Sequence, residues 1–312
     1  MQNSMRLLAF LSFSLLITVS SCKKDDVPPT NEPDPATDHL AIHTQDQARV
    51  SEDMDAITNE INVAVEGNTF FSGKQQQTNV ICGATTTVDT SGATKSITIT
   101  YNGNNCANTH HRQGTVVLSM PSNVQWKQAG AVITVSYNNL TIKKLSNNKS
   151  ITISGSHQFT NVSGGLMYQL PTMNEIIHTI SSNNMVISFN DSTQRTWNVA
   201  RKRTYTYNNG IKASITGTHT INNMNGVAEW GTDRFGHPFV SAITQPLVIK
   251  QDCNFRLTGG EIKHKRLNTE AVVTFGLNAN GQPTGCPGAA PYYYKLVWTG
   301  PNNNTHTVIH PY

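Results

Sequence analysis

The chain has 312 residues, of which 13% are charged and 37% are hydrophobic, and its formal net charge is +4. Low charge and an Asn content of about a tenth exclude a coiled coil, and the moderate hydrophobicity excludes a polytopic membrane protein. So small a net charge gives no reason to expect nucleic acid as a partner. The basic clusters at 201–203 and 263–266 are expected to lie on solvated faces or at strand edges.

Residues 1–21 are predicted to be a signal peptide. Arg6 precedes an apolar run at 7–19, which is shorter than the ~20 residues that span a bilayer. The run ends in a pattern that resembles the lipobox of bacterial lipoproteins, namely Val19, Ser20, Ser21 and Cys22. The resemblance implies cleavage before Cys22, acylation of that cysteine and attachment to the membrane through its acyl chains. The alternative is an ordinary secretory signal followed by a chance cysteine.

Residues 22–45 are predicted to be the acylated cysteine and a disordered tether, because Pro and Asp dominate as far as residue 37. The tether begins with Lys23, Lys24, Asp25 and Asp26. This run resembles the surface-export signal of Bacteroidota lipoproteins, which implies a lipid-anchored, surface-exposed location at the outer membrane. The alternative is the charged start of a solvated linker.

Residues 46–66 are predicted to form one amphipathic helix that packs on the main body. The apolar residues recur at steps of three and four, at Val50, Met54, Ile57, Ile61 and Val65. Gly67 is a natural stop for this helix. A helix that binds a partner protein is the alternative.

Residues 67–312 are predicted to be an antiparallel all-β domain. Apolar and polar residues alternate with period two, for example at 96–101, 131–137 and 151–154, and Asn/Gly segments such as 208–210 separate the runs. Many strands with short turns and no alternating helices predict two curved sheets, arranged as a sandwich or an open barrel. Two related halves, about 67–165 and 166–312, are a further expectation for this domain.

Four cysteines remain after Cys22, and an even number in an exported chain predicts two disulfides with three possible pairings. A weak internal repeat suggests which pairing occurs. In each half a cysteine precedes a β-branched strand, an aromatic residue, a polar loop, a second cysteine and an apolar strand. The repeat favours Cys82–Cys106 and Cys253–Cys286, although a chance echo in a β-rich sequence is the alternative.

Several segments resemble a group of uncharacterised Bacteroidota lipoproteins. They include 97–103, 112–114, 195–197, 215–218, 234–239, 243–247 and 257–260, and they cover most of residues 80–275. The chain departs from the group at 161–184 and in its longer second cysteine loop. The group has no assigned activity, so the resemblance implies only localisation and a β fold.

Three histidine pairs are candidate metal ligands. They are His39 with His43, His110 with His111, and His306 with His310. The first pair has helix-like metal spacing but lies in the predicted tether. Adjacent histidines point apart on a strand, and a spacing of four on a strand leaves two rings on one face but far apart. No carboxylate neighbour makes any pair specific. No metal site and no cofactor are therefore predicted.

Glu229 and Asp233 are the acidic pair that would serve a hydrolase, beside Trp230 and His237. A glycosidase needs two carboxylates about 5–9 Å apart across a cleft. The chain contains no nucleophile elbow, phosphate loop or zinc-protease motif. The prediction is therefore a non-enzymatic protein, with a hydrolase as the second alternative.

Exposed aromatic side chains on a β surface could stack on sugar rings. The candidate ligand-binding residues are Trp230, Asp233, His237, Tyr293 and Trp298. At least one ring of the run 292–294 is expected to be buried, because alternation sends Tyr293 and its neighbours to opposite faces. The leading prediction is a lipid-anchored surface protein that acts as an interaction or structural module. The first alternative is a lipoprotein that binds an extracellular glycan or another ligand. Besides the membrane, the expected partner of the protein is either such a glycan or another surface protein.

Overall fold

The computed structural model describes residues 35–73, 81–267, 269–286, 288, 290–299 and 304–312. These residues belong to one compact unit, Pro35–Tyr312. The predicted signal peptide, Cys22 and most of the predicted tether lie outside the described residues. No described helix has the length and apolar character needed to cross a membrane.

The N-terminal helix, α1, runs from Pro35 to Gly67. It begins eleven residues before the predicted start at Asp46, so the predicted tether is helical from Pro35 onward. The reason is tertiary contact: the ring of His39 stacks on Phe235, with centroids 3.8 Å apart, and buried His43 lies against Phe239 at 4.8 Å. Sequence periodicity over apolar residues alone does not register such contacts.

The C-terminal end of α1 agrees with the prediction. All five apolar residues at the predicted spacing are buried, and the helix ends at Gly67. A short second helix follows, α2 (Thr69–Ser72), in which the side chain of Asn68 accepts a hydrogen bond from the backbone N–H of Phe70 at 3.0 Å.

The rest of the described chain is a succession of strands, broken by two short 3-10 turns at Met167–Thr172 and Gln251–Cys253. The strands are β1 (Ala84–Asp89), β2 (Thr94–Asn104), β3 (His110–Pro121), β4 (Ala131–Lys144), β5 (Ser150–Asn161), β6 (Ile176–Phe189), β7 (Gln194–Tyr207), β8 (Ile211–Gly217), β9 (His219–Ile221), β10 (Met224–Thr232), β11 (Pro238–Lys250), β12 (Arg256–Arg266), β13 (Thr269–Leu277), β14 (Tyr293–Thr299) and β15 (Thr305–Pro311).

These strands form a single antiparallel sheet with barrel-like closure. The predicted all-β fold with one N-terminal helix is confirmed. Of the two predicted arrangements the open barrel is the nearer, because hydrogen bonds join all the described strands into one sheet rather than two. Strands β5 and β6, which lie on either side of residue 165 in the sequence, are paired with each other in this sheet.

One position in the sheet is shared by two short strands. β10 pairs with residues 196–199 of β7, and β8 pairs with residues 201–207 of the same strand. On their other side, β8 and β10 both pair with β11. Strands β8 and β10 therefore lie end to end between β7 and β11. This arrangement brings the turn that follows β10 close to the N-terminal half of α1.

The main core lies between the apolar face of α1 and the inward side chains of β2 to β7. Because antiparallel strands alternate their side chains, one side of each strand is almost entirely buried, for example Ile97, Ile99 and Tyr101 on β2. The helix is thus part of the core rather than an accessory to it. Smaller apolar clusters lie along β6 to β14.

Both predicted disulfides are present, Cys82–Cys106 and Cys253–Cys286, each with Cα atoms 5.1 Å apart. The first encloses strands β1 and β2, and the second encloses β12 and β13. Each disulfide therefore closes one antiparallel hairpin, as the internal repeat indicated.

Removal of either disulfide is expected to lower the free energy of unfolding by about 3–4 kcal/mol, because each closes a loop of some tens of residues. The measurement is urea unfolding of Cys82→Ser/Cys106→Ser and of Cys253→Ser/Cys286→Ser. Cys22→Ser is the control, because it removes a cysteine without opening a loop. A loss below about 1 kcal/mol in either double variant would contradict this account.

Candidate functional site

Glu229 lies on β10 and points into the interior, where it is only 1% exposed. Its carboxylate forms an ion pair with the guanidinium of Arg201, on β7. The hydroxyl of Ser51, on α1, donates a second hydrogen bond to the same carboxylate at 3.1 Å. Glu229 therefore joins the helix to the sheet.

Asp233 begins the turn between β10 and β11 and is also buried. One carboxylate oxygen accepts the backbone N–H groups of Phe235 and His237, each at 2.9 Å, which fixes the turn. The other oxygen forms an ion pair with Arg266, on β12, and Arg266 also contacts Nδ1 of His237 at 2.8 Å. The structure thus brings together Asp233 and His237, but around an arginine.

Each predicted carboxylate is therefore neutralised by its own guanidinium. A glycosidase needs one protonated acid and one ionised carboxylate on opposite sides of a bound sugar. Glu229 and Asp233 are instead both buried and paired with arginines, Arg201 and Arg266. This geometry supports a structural role for both residues.

The four tryptophans do not form a strip. Trp126, Trp197 and Trp298 are buried, and Trp230 is half-buried. Trp230 follows Glu229 on β10, so its ring lies on the outer face, where it stacks on His219 with centroids 4.5 Å apart.

Trp298 and Tyr293 lie on β14, which is separated from β10 by three strands. The five candidate ligand-binding residues are thus divided between two places in the sheet. Of the three neighbouring tyrosines, Tyr292 is fully buried, as expected for at least one of these rings.

The first two histidine pairs make separate contacts within the fold. His39 and His43 lie on α1, not in a tether, and pack on aromatic rings. Nε2 of His110 lies 3.8 Å from Asp53, whereas Nδ1 of His111 contacts Asn104.

Within the described ranges, one group of three potential metal ligands is close enough to share an ion, namely Asp252, Cys253 and Cys286. Its two sulfur atoms are joined in a disulfide, so they are not thiolate ligands. The prediction of no metal site remains a prediction.

The basic clusters correct an expectation from the sequence. Arg201 and Arg203 are buried and only Lys202 between them faces outward, so this cluster is not a solvated face. His264 and Arg266 are likewise buried, whereas Lys263 and Lys265 point away from the core. Alternation along β7 and β12 places every second basic residue inside.

Acidic residues of α1 form ion pairs with inward-facing arginines of the sheet. Asp55 forms ion pairs with both Arg201 and Arg203. Glu60 binds Arg112, on β3, at 2.6 Å.

Nearer its start, the helix makes a two-bond contact: Asp46 accepts hydrogen bonds from Nε and one terminal nitrogen of Arg234 at 2.7 and 2.6 Å. These ion pairs hold α1 in one rotational and axial position against the sheet. The sequence of α1 contains seven acidic residues and one arginine, and this excess of negative charge could have predicted basic partners for the helix.

Four histidines are also buried in the interior. Burial lowers the pKa of His157 and of His178 to about 3, and lowers that of His264 to about 4. Burial likewise lowers the pKa of His43, with the charge of Arg195 contributing. All four are neutral at pH 7.

The pKa of Asp53, on α1, is shifted in the opposite direction. Burial raises the pKa of its carboxyl to about 7, although Arg49 opposes the shift. Asp53 and the four buried histidines therefore respond to pH with opposite signs.

Comparison of the chain with known protein families, with curated proteins and with solved structures finds no match.

Proposed function

We propose that the protein is a lipid-anchored, non-enzymatic module of the outer-membrane surface, held in the membrane by acyl chains on Cys22. The support for the anchor is the order of the N-terminal residues: an apolar run at 7–19, then Val19, Ser20, Ser21 and Cys22. Two or more acyl chains suffice for stable anchoring. The run 23–26 supports export to the outer face of the membrane.

The observation that carries the non-enzymatic part of the proposal is the pairing of Glu229 with Arg201 and of Asp233 with Arg266. These are the carboxylates on which the hydrolase alternative depends. Each is buried in an ion pair with a guanidinium, where it is shielded from a substrate. Their arrangement suits a rigid scaffold that presents its outer surface.

The outer surface suits an interaction module. Outward positions on the long strands are occupied largely by Thr, Ser and Asn, for example Thr98 and Thr100 on β2 and Thr134 and Ser136 on β4. Such side chains offer hydrogen bonds to a partner without a strong charge. The support for an interaction role is thus the chemistry of this face.

The anchor is tested by Cys22→Ser in cells that are fed an alkyne-labelled fatty acid. We expect the wild-type chain to incorporate the label and to remain in the membrane fraction, and the variant to lose both properties, because it lacks the acylated thiol. The Cys253→Ser/Cys286→Ser variant is the control, since it loses cysteines but not the anchor. Label retained by Cys22→Ser would overturn the proposal.

Surface display is tested separately with Asp25→Ala/Asp26→Ala. This variant should remain labelled and membrane-bound, yet become protected from a protease added outside intact cells. Wild-type protein that is itself protected in intact cells and cleaved only after lysis would refute display while leaving the anchor intact.

A further inference from the structure

Strand β15, at one end of the sheet, is an unprotected edge. Within the described residues it pairs only with β14, and all seven of its residues are exposed. It contains no Lys, Arg, Asp or Glu, and its one proline, Pro311, is its last residue. Natural edge strands are usually blunted by charge, proline or a bulge, because a bare edge pairs readily with another strand.

The edge is apolar at its centre. Val308 is 39% exposed and Ile309 is 36% exposed, and they are adjacent, so one lies on each face of the sheet. The opposite edge of the sheet, β1, also has an exposed valine, Val88, but it ends in the charged residue Asp89. Strand β15 is therefore the better template for pairing with another chain.

The sequence of β15 is complementary to itself in one antiparallel register. If two copies pair about Val308, then His306 of each lies opposite His310 of the other, and Thr307 lies opposite Ile309. No like-charged carboxylate or ammonium groups meet in this register. A two-fold axis through Val308 therefore gives a closed dimer with identical contacts on both sides.

Aromatic and histidine rings on the inner face of β14 and β15 would also meet across the pairing of two copies. His306 stacks on Trp298 with centroids 5.1 Å apart, and His310 stacks on Tyr294 at 6.1 Å. Residues directly opposite each other in an antiparallel pair lie on the same face. Each Trp298–His306 stack would thus meet a Tyr294–His310 stack of the second copy, which makes a row of four rings on each side of the axis.

We propose that β15 is a dimerisation edge, which joins two copies of this chain by antiparallel pairing about Val308. A pair of seven-residue strands buries less than the ~1,200 Å² of a stable interface, so association in dilute solution is expected to be weak. Anchoring in a membrane, as proposed above, raises the effective concentration of the two copies and favours the dimer.

The test is disulfide trapping in intact cells that express the full chain. The Cα atoms of opposed residues in an antiparallel pair are about 4.5–5.5 Å apart, within the range that a disulfide bridges. We expect Val308→Cys to give a covalent dimer on a non-reducing gel. Val88→Cys, on the other edge of the sheet, is the matched control and should remain monomeric.

The register is tested by opposite charges at the same position. Val308→Lys and Val308→Glu should each fail to pair with themselves, and differently tagged copies of the two variants should co-purify with each other. Because Val308 is exposed at an edge, both variants should melt at the wild-type temperature. Co-purification of the lysine variant with itself would overturn the two-fold register.

The outcomes separate this inference from the proposed anchor. Membrane-bound protein without a Val308→Cys dimer, or with an equal dimer from Val88→Cys, overturns the inference and leaves the anchor standing. Protein absent from the membrane fraction overturns the anchor. In that case the charge-pair co-purification, carried out with concentrated protein, still decides whether β15 pairs.

Discussion

Acidification from pH 7 to pH 4.5 is expected to destabilise the protein by several kcal/mol through its buried histidines. The unfolded chain has histidines of pKa about 6.5, whereas burial lowers the pKa of His157 and His178 to about 3. Between these values the unfolded state binds more protons, so stability falls as the pH falls. Each of the two contributes about 3 kcal/mol at pH 4.5, and a typical domain has only ~5–15 kcal/mol in total.

Asp53 opposes this trend in part. Its folded pKa of about 7 lies above the unfolded value, so the cost of burying its carboxylate is removed as the pH falls from about 7 towards 4. Burial raises the pKa of the Asp46 carboxyl as well, so two carboxyls are set against four buried histidines, because His43 and His264 shift in the same direction as His157 and His178. The net effect of acid is therefore a loss of stability.

The measurement is urea unfolding at intervals between pH 7.5 and pH 4.5. The His157→Phe/His178→Phe variant should show a shallower dependence on pH, whatever its stability at pH 7, because it has lost two of the linked groups. His219→Phe is the matched control, since His219 is exposed and its replacement should leave the slope unchanged. Equal slopes in the wild type and the double variant would contradict the assignment.

The second large effect is expected at the ion pair of Glu229 and Arg201. Glu229→Gln should lower the free energy of unfolding by about 3 kcal/mol or more, because it leaves a buried guanidinium without its closest carboxylate. Asp55 remains as a second partner of Arg201, at 3.3 Å, and limits the loss. The double variant Glu229→Gln/Arg201→Met should recover much of the stability, since it removes the uncompensated charge.

A surface ion pair supplies the control for this experiment. Lys263 Nζ lies 2.6 Å from Glu270, and the two side chains are 34% and 45% exposed. Glu270→Gln should therefore change the free energy of unfolding by about 0–1 kcal/mol. A Glu229→Gln variant no less stable than Glu270→Gln would show that the buried pair adds nothing to stability.

Much of the fold could be predicted from the sequence because it follows from local periodicity. The period-two runs on β2 and β4 and the helical spacing from Val50 to Val65 each reflect burial against a neighbouring element. The disulfide pairing was available from the repeat of cysteine, strand, loop and cysteine. The single sheet was not, because the number of sheets depends on which strands meet at long range.

The interior polar contacts could not be predicted for a related reason. Arg201 and Arg203 are neighbours of an outward lysine, and charge alone suggests solvent rather than a core. Their parity on β7 matches that of Trp197 and Val199, and this shared face is the signal that was missed. Even so, the choice of Asp55 and Glu229 as their partners depends on where α1 lies in three dimensions.

The position of α1 also has a consequence for the order in which the chain can fold. The helix is synthesised before the strands that the structure describes, yet its contact between Asp46 and Arg234 spans 188 positions of the sequence. Contacts of such separation make folding slow, because a large loop must close before they form. The contacts of α1 are thus completed only after β10 and the turn that follows it have been synthesised. Until then its apolar face is exposed to other chains, which is when a chaperone would have most to protect.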